Sequence, residues 1–409
     1  MSSEILDLHS TATSEDSITG IQYHAYNPYT NSFKNSDEIH IVIQHQDLYV
    51  LPHESYIYIE ARAKVTPAAN ATAAQQVAPC YVNNAASFLF DEIRYELNGF
   101  LIDSCKNVGI TSSVKGYATF QPKDMSHMEI ASWKKESNKT VANESVNFCI
   151  PLANILGFTE DYRNIVMNAK HELILVRSRS DTNCYVGANN IASLEIQKIQ
   201  WRIPHVAVSD TEKLKLMKII DKKQPIQLNF RSWELYEYPT VPNTMKHIWS
   251  VKTSAQLNTP RYIIVAFQTN RNNRITADKS RFDHCQLSDL KVYLNSECFP
   301  YENLNVNFGT NVYAVLYDMY VRFQKTFYHD RQAFAATPLL TFEEYKNIAP
   351  IFVIDCSRQN ESLKKSIVDI RIEIETRVNF EDNTSAYCII IHDNMIAYNP
   401  YTNIVNRIM

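Results

Sequence analysis

One stretch, Ile93-Arg94-Tyr95-Glu96-Leu97-Asn98-Gly99-Phe100-Leu101-Ile102-Asp103, constrains the fold more than any other. Asn98-Gly99 stands between two strand-like runs, and the favoured two-residue hairpin turn needs positive φ at both of its central residues. A tight antiparallel hairpin is predicted there. Upstream, Ile39, Ile41 and Ile43 alternate with His40, Val42 and Gln44, and in Tyr56 to Lys64 Ile57 and Ile59 oppose Tyr58 and Glu60, so each strand buries one face. Downstream, Ile110, Val114 and Tyr117 fall at helical spacing, and apolar strands follow at Leu173 to Val176 and Leu194 to Ile203. The apolar phase shifts between Ile196 and Ile199, which predicts a β-bulge.

The same order of elements then returns. Ser209-Asp210-Thr211-Glu212 reads as a capping box before Leu214, Met217 and Ile220, and Lys222-Lys223-Gln224-Pro225 stops that connector helix. Strands at His247 to Ser254 and Arg261 to Phe267 lead into Leu290 to Glu297, a second hairpin candidate turning at Asn295. A helix follows, with Val312, Val315, Leu316, Met319 and Phe323 on one face and His329 and Arg331 just past its end. A capping box at Thr341 to Glu344 precedes a strand at Ile351 to Ile354. Last comes an alternating strand whose inward face is Val368, Ile370, Ile372, Ile374, Val378 and Phe380. Hairpin, helix, loop, apolar strand and alternating strand occurring twice suggest a duplicated all-β unit.

The length of 409 residues exceeds what one hydrophobic core usually serves. We therefore expect a flexible N-terminal arm over residues 1–34, a first sandwich over 35–208, a connector helix and linker over 209–230, a second sandwich over 231–395 and a C-terminal tail over 396–409. The Ala/Thr-rich stretch from Thr66 to Ala78 reads as a long loop. Residues 1–20 are Ser/Thr-rich and acidic without apolar periodicity, hence the arm. No apolar run approaches the roughly 18 residues that span a bilayer. The start lacks the basic and apolar blocks of a secretory signal, so folding in host cytoplasm or nucleus is expected. The eight cysteines are isolated in sequence, with no Cys-x-x-Cys, and read as free thiols. The sequons at Asn70, Asn138, Asn143, Asn360 and Asn383 then carry no weight.

A formal net charge of −4 argues against a broad nucleic-acid-binding surface. The 24 Tyr and 18 Phe against 7 Gly favour strands and large contact surfaces. No phosphate-cradling, nucleophile-elbow or zinc-protease motif is present, and no catalytic, cofactor-binding or metal residue is assigned. Asp283-His284-Cys285 with His329-Asp330 has no recognisable ligand spacing and reads as strand and loop residues. His171-Glu172 reads as a strand-end polar pair. Arg271-Asn272-Asn273-Arg274, with Lys279 and Arg281, forms a local basic loop, read as a solvated surface. Tyr313, Tyr317 and Tyr320 read as core aromatics rather than a base-stacking platform.

The sequence resembles the double jelly-roll major capsid proteins of the adenovirus, tectivirus and giant-virus lineage, and is similar to virophage, Polinton-like and invertebrate-integrated members. Three segments carry the resemblance: Phe88 to Gly99, Ile150-Pro151-Leu152-Ala153-Asn154-Ile155-Leu156-Gly157-Phe158, and His171 to Ser178, with the connector helix between the halves. It implies two tandem eight-stranded jelly-roll sandwiches with short inserted helices, and a structural, non-enzymatic protein without cofactors. It further implies a homotrimer that packs beside neighbouring capsomers in a virion capsid, with room for penton and minor capsid proteins as partners. The acidic arm departs from relatives whose basic arm holds the genome. A domesticated host protein of the same fold is the first alternative reading, and a carbohydrate-binding or hydrolytic β-sandwich the second.

One repeat falls outside the duplication. Ala25-Tyr26-Asn27-Pro28-Tyr29-Thr30-Asn31 recurs unchanged as Ala397-Tyr398-Asn399-Pro400-Tyr401-Thr402-Asn403. Each Asn-Pro favours a turn flanked by tyrosines. We expect Tyr26, Asn27, Pro28, Tyr29, Tyr398, Asn399, Pro400 and Tyr401 to serve assembly, docking both chain ends into similar grooves.

Overall fold

The computed structural model describes residues 17–44, 49–67, 78–134, 140–187, 190–251, 260–328, 337–359 and 368–408. Residues 1–16 of the expected arm, most of the Ala/Thr-rich loop, Asn70, Asn138, Asn360, His329, Asp330 and Arg331 lie outside them.

The first unit contains β1 (Ile18–Tyr26), β2 (Glu38–Gln44), β3 (Tyr49–Val50), β4 (Tyr56–Pro67), β5 (Cys80–Tyr81), β6 (Phe90–Leu97), β7 (Phe100–Lys106), β8 (Ser145–Pro151), β9 (Lys170–Arg177), β10 (Tyr185–Val186) and β11 (Asn190–Val208). Helices α1 (Val108–Thr119), α2 (Met125–Met128) and α3 (Gly157–Asp161) are inserted between its strands, and α4 (Asp210–Asp221) leads out. The second unit contains β12 (Ile226–Tyr238), β13 (Lys246–Val251), β14 (Pro260–Thr269), β15 (Leu287–Leu294), β16 (Glu297–Phe299), β17 (Phe352–Asp355), β18 (Ile370–Thr376), β19 (Thr384–Asn399) and β20 (Ile404–Arg407), with α5 (Ala314–Phe327) and α6 (Phe342–Asn347).

The first unit pairs its strands as β1-β11-β4-β8 facing β2-β9-β6-β7, and the second as β12-β19-β14-β17 facing β13-β18-β15-β16. Strand for strand the two orders match. Two four-stranded antiparallel sheets packed face to face, in this order, make a jelly roll. β3 and β20 extend the first sheet of each unit.

Local chemistry explains the register. Asn98 (φ 52°) and Gly99 (φ 79°) supply the two left-handed residues of the β6–β7 turn. Asn98 Oδ1 accepts from Lys170 N at 2.8 Å, while Asn98 N donates to Lys170 O at 2.8 Å. Asn295 (φ 55°) repeats the device in the second unit, with Oδ1 accepting from Asp369 N at 2.8 Å. The β11 register shifts between Ile196 and Lys198, where the apolar phase changes.

Several expectations need correction. Residues 18–26 are an edge strand paired with β11 from Val208 to Trp201, not part of a flexible arm. Their apolar side chains, Ile21 and Tyr23, are exposed, whereas the polar His24 is half-buried, so the usual inward signal is inverted. The second sandwich begins at Ile226, inside the expected linker, and the expected tail is the end of β19 plus β20. Ser209 caps α4 without a side-chain bond, whereas Thr341 and Glu344 form both bonds of their capping box. α5 starts only at Ala314 and buries Leu316, Tyr320, Phe323, Gln324 and Phe327, leaving Val315 exposed, while Val312 stands exposed before the helix on a bridge to Asn307. β18 stops at Thr376, whose Oγ1 donates to Val378 O at 2.7 Å and turns the chain.

Candidate assembly surfaces

The two jelly rolls meet along a seam built from α1, α3 and β7 of the first and β12 and α5 of the second. Arg231 on β12 donates from Nε to Asp161 Oδ2 at 2.8 Å and from Nη2 to Asp161 Oδ1 at 2.6 Å. Its guanidinium also lies 3.5 Å from the Phe327 ring centre, and Nη1 reaches Phe327 O. Backbones approach closely beside this pair. A Cβ added to Gly157 would stand 1.7 Å from Arg231 O, so only glycine fits.

Deeper in the seam, Asp103 is buried and accepts from Phe158 N (2.9 Å) and Ser104 N (3.0 Å) of its own unit and from Ser232 Oγ (3.1 Å) of the other. Burial pushes its carboxyl up to about 6 against the opposing pull of those donors. Asn394 donates to Ser232 Oγ and accepts from Arg407 Nη2 at 2.7 Å, which links β20 to the same network. Tyr320 Oη donates to Tyr117 O (2.8 Å), and Gln324 Nε2 donates to Phe120 O (2.9 Å). Tyr328 Oη donates to Glu160 Oε1 (2.7 Å), and Lys115 Nζ lies 2.8 Å from Glu160 Oε2. Phe158 meets Phe230 edge to face at 5.3 Å.

The two copies of the heptapeptide sit in unlike places. Tyr398 is buried, and its hydroxyl lies 2.7 Å from both Met167 O and Asn168 O of the first unit. Asn168 Nδ2 donates to Pro400 O at 2.6 Å, and Asn98 Nδ2 donates to Asn403 O at 3.1 Å. Asn399 Nδ2 donates to Lys223 O at 3.0 Å, and Lys223 Nζ stands 4.5 Å from the exposed Tyr401 ring. This copy is thus a strap between the halves of its own chain. The other copy ends β1: Tyr26 Oη is 2.9 Å from His205 Nε2, and Asn27 Oδ1 accepts from Gln200 Nε2 at 2.9 Å. Pro28 follows, and Tyr29 is 79% exposed.

The seam leaves an asymmetry between equivalent sheets. β14 and most of β19 are buried on both faces, because the first unit and α5 cover the outer side of their sheet. In the first unit β4 alternates buried Ile57, Ile59 and Ala61 with partly exposed Tyr58, Glu60 and Arg62, so the equivalent outer side is open. On that open side β1 presents Ile21 and Tyr23, 49% and 53% exposed. The second unit in turn leaves Val312, just before α5, and Val315, in its first turn, exposed.

The other sequence candidates are absorbed structurally. His171 is buried against the Tyr95 hydroxyl at 2.7 Å, and burial lowers its pKa to about 3. Glu172 faces the opposite side, 3.0 Å from His40 Nδ1. Lys279 is buried on the Tyr387 hydroxyl at 3.0 Å. Tyr313 and Tyr317 donate to Phe342 O and Leu340 O. All eight cysteines are unpaired. Among the described residues no cluster of His, Cys, Asp and Glu is arranged to hold a metal. The seam residues Arg231, Asp161 and Gly157 carry no local sequence signal, and nothing around Gly157 tells that a backbone passes over it.

Comparison with known proteins agrees with this topology. No curated protein matches the sequence. Among solved structures, a chain of the Sputnik virophage matches at 11% identity and TM-score 0.63, covering 98% of this chain and 90% of that one. The Faustovirus major capsid protein matches at 10% identity and TM-score 0.62, covering 97% and 94%. The mavirus major capsid protein matches at 10% identity and TM-score 0.56, covering 95% and 90%. The family described as the double jelly roll-like domain matches residues 80–396. With both jelly rolls in place and most of its length inside that match, the chain belongs to the double jelly roll-like family.

Proposed function

We propose that this protein is a major capsid protein whose chains close in threes into a pseudo-hexagonal tile of an icosahedral shell. The observation that carries this reading is the unequal burial of two equivalent sheets. A head-to-tail contact joins the first jelly roll to the second within one chain, and its counterparts stay open at both flanks: Ile21 and Tyr23 on one, Val312 and Val315 on the other. A heterologous contact that repeats with a closing rotation makes a ring. Six jelly rolls, two per chain, give three chains. The structural likeness to the major capsid proteins of Faustovirus and mavirus supports the same role.

The N-terminal heptapeptide, with Tyr29 turned outward, is the tie to neighbouring tiles in this reading, while the C-terminal copy stiffens each chain. Light scattering tests the tile: the purified protein should weigh three times the 47.2 kDa chain. Electron microscopy should then show particles or hexagonal arrays. A clean monomer at micromolar concentration would overturn the proposal.

A further inference from the structure

At the end of the second jelly roll remote from the Tyr398 strap lies a cavity of about 510 Å³. Its walls come from the end of β14, the following loop through Gln286, α6 and the turn after β18. The volume suits a ligand of one or two sugar rings, within the roughly 300–1,000 Å³ of small-molecule sites.

The walls are held in advance of any ligand. Arg271 clasps Asp283 with Nε to Oδ2 at 2.9 Å and Nη2 to Oδ1 at 2.6 Å, and Thr269 N donates to the same carboxylate at 2.9 Å. Cys285 and Gln286 stand consecutively in the left-handed region, at φ 45° and 50°. Such backbone is costly for residues with a side chain and persists where its surroundings enforce it. The His284 ring stacks on Phe308 at 4.6 Å.

The lining decides the chemical class. Gln286, Asn347 and Asn379 bring amides, each of which donates and accepts, while Asn270 Oδ1 already accepts from Asn383 Nδ2 at 3.2 Å and brings its amide nitrogen. Gln286 N donates to His284 Nδ1 at 3.0 Å, which leaves the proton on Nε2 of the neutral ring as a further donor. Arg271 and Asp283 neutralise each other, so no free guanidinium awaits a phosphate. Lys346 Nζ gives two of its protons to Phe308 O and Asn311 Oδ1, keeping one. Glu381 has no ion-pair partner among the described residues and would repel an anion. Val378, half exposed, adds an apolar side chain. Amide donors and acceptors beside an exposed apolar side chain match the hydroxyls and C–H face of a sugar.

We propose that this cavity binds a neutral saccharide, its hydroxyls held by the asparagine and glutamine amides, Glu381 and Lys346. It binds without cleaving. Glycoside hydrolysis uses two carboxyl groups, and Asp283 is already consumed by Arg271 and Thr269. All of its lining residues belong to one chain.

Saturation-transfer NMR on the purified full-length protein, with methyl glycosides of galactose, glucose, mannose, fucose and N-acetylglucosamine as probes, tests it. At least one glycoside should receive saturation, and Asn379→Ala and Glu381→Ala should each weaken its binding at least tenfold. Both residues are exposed, and unchanged melting and mass would show that the variants fold. No transfer to any probe, or transfer unaffected by both substitutions, would overturn the proposal. So would binding of inorganic sulfate or phosphate in place of the glycosides, which would make the cavity an anion site.

Discussion

Asp161 and Arg231, seventy residues apart, form a two-pronged ion pair that joins the first jelly roll to the second. Neither side chain is fully solvated, so the pair has lost much of its water and depends on its geometry. Arg231→Ala should cost about 3–5 kcal/mol, since it strands a carboxylate in the seam. Asp161→Ala should cost a similar amount, and the double variant less than the sum. Urea unfolding of the four proteins gives the coupling. Additive losses would show that the pair contributes nothing specific.

Gly157→Ala places a methyl group against Arg231 O and should destabilise the protein by about 1–3 kcal/mol through forced separation of the backbones. Gly20→Ala meets nothing within 4 Å and should stay within about 0.5 kcal/mol of the parent. Calorimetry distinguishes them.

Asp103 makes the seam tighter in acid. Its folded pKa of about 6 lies above the ordinary carboxylate value of 3.8, so the native state holds this proton more firmly than the unfolded chain. The stabilisation is complete below about pH 4 and is lost as pH rises through about 6, a change on the order of 2–3 kcal/mol. Asp103→Asn should flatten that part of the stability profile. Melting temperatures from pH 4 to 7, parent against variant, isolate the group, and identical slopes would refute the assignment.

If three chains close as proposed, Ile21→Arg should give a folded monomer. The side chain faces away from its own core, so the melting temperature of the single chain should hold while the scattering mass falls by a factor of three. A variant that remains trimeric would place the contact between chains elsewhere.

Tyr398→Phe removes the hydroxyl that lies against Met167 O and Asn168 O and should cost about 1–3 kcal/mol, because the buried Met167 carbonyl loses its donor. Tyr401→Ala, on an exposed ring, should cost far less. A chemical-denaturation series reads both.

Much of the architecture was legible because backbone demands leave local traces. Asn98-Gly99 and Asn295 announce left-handed turns, and the phase change after Ile196 announces a bulge. The run Cys388-Ile389-Ile390-Ile391 is continuous rather than alternating because its sheet is covered twice. β1 was illegible for the opposite reason: Ile21 and Tyr23 face away from their own sandwich, so the period-two signal points outward. The face of α5 was misread because Val312 and Val315 are apolar without being buried within the chain. The seam left no trace, since Asp161 and Arg231 become neighbours only once both sandwiches exist.

The Tyr398 strap also sets a timetable for synthesis. Its acceptors on the first jelly roll are made 231 residues before it. At roughly 5–20 residues per second, the ribosome needs on the order of ten to fifty seconds to cover that gap. The first sandwich therefore waits with one flank uncapped while the second is still being made, until the strap has been synthesised. A nascent or shortened chain lacks this closure.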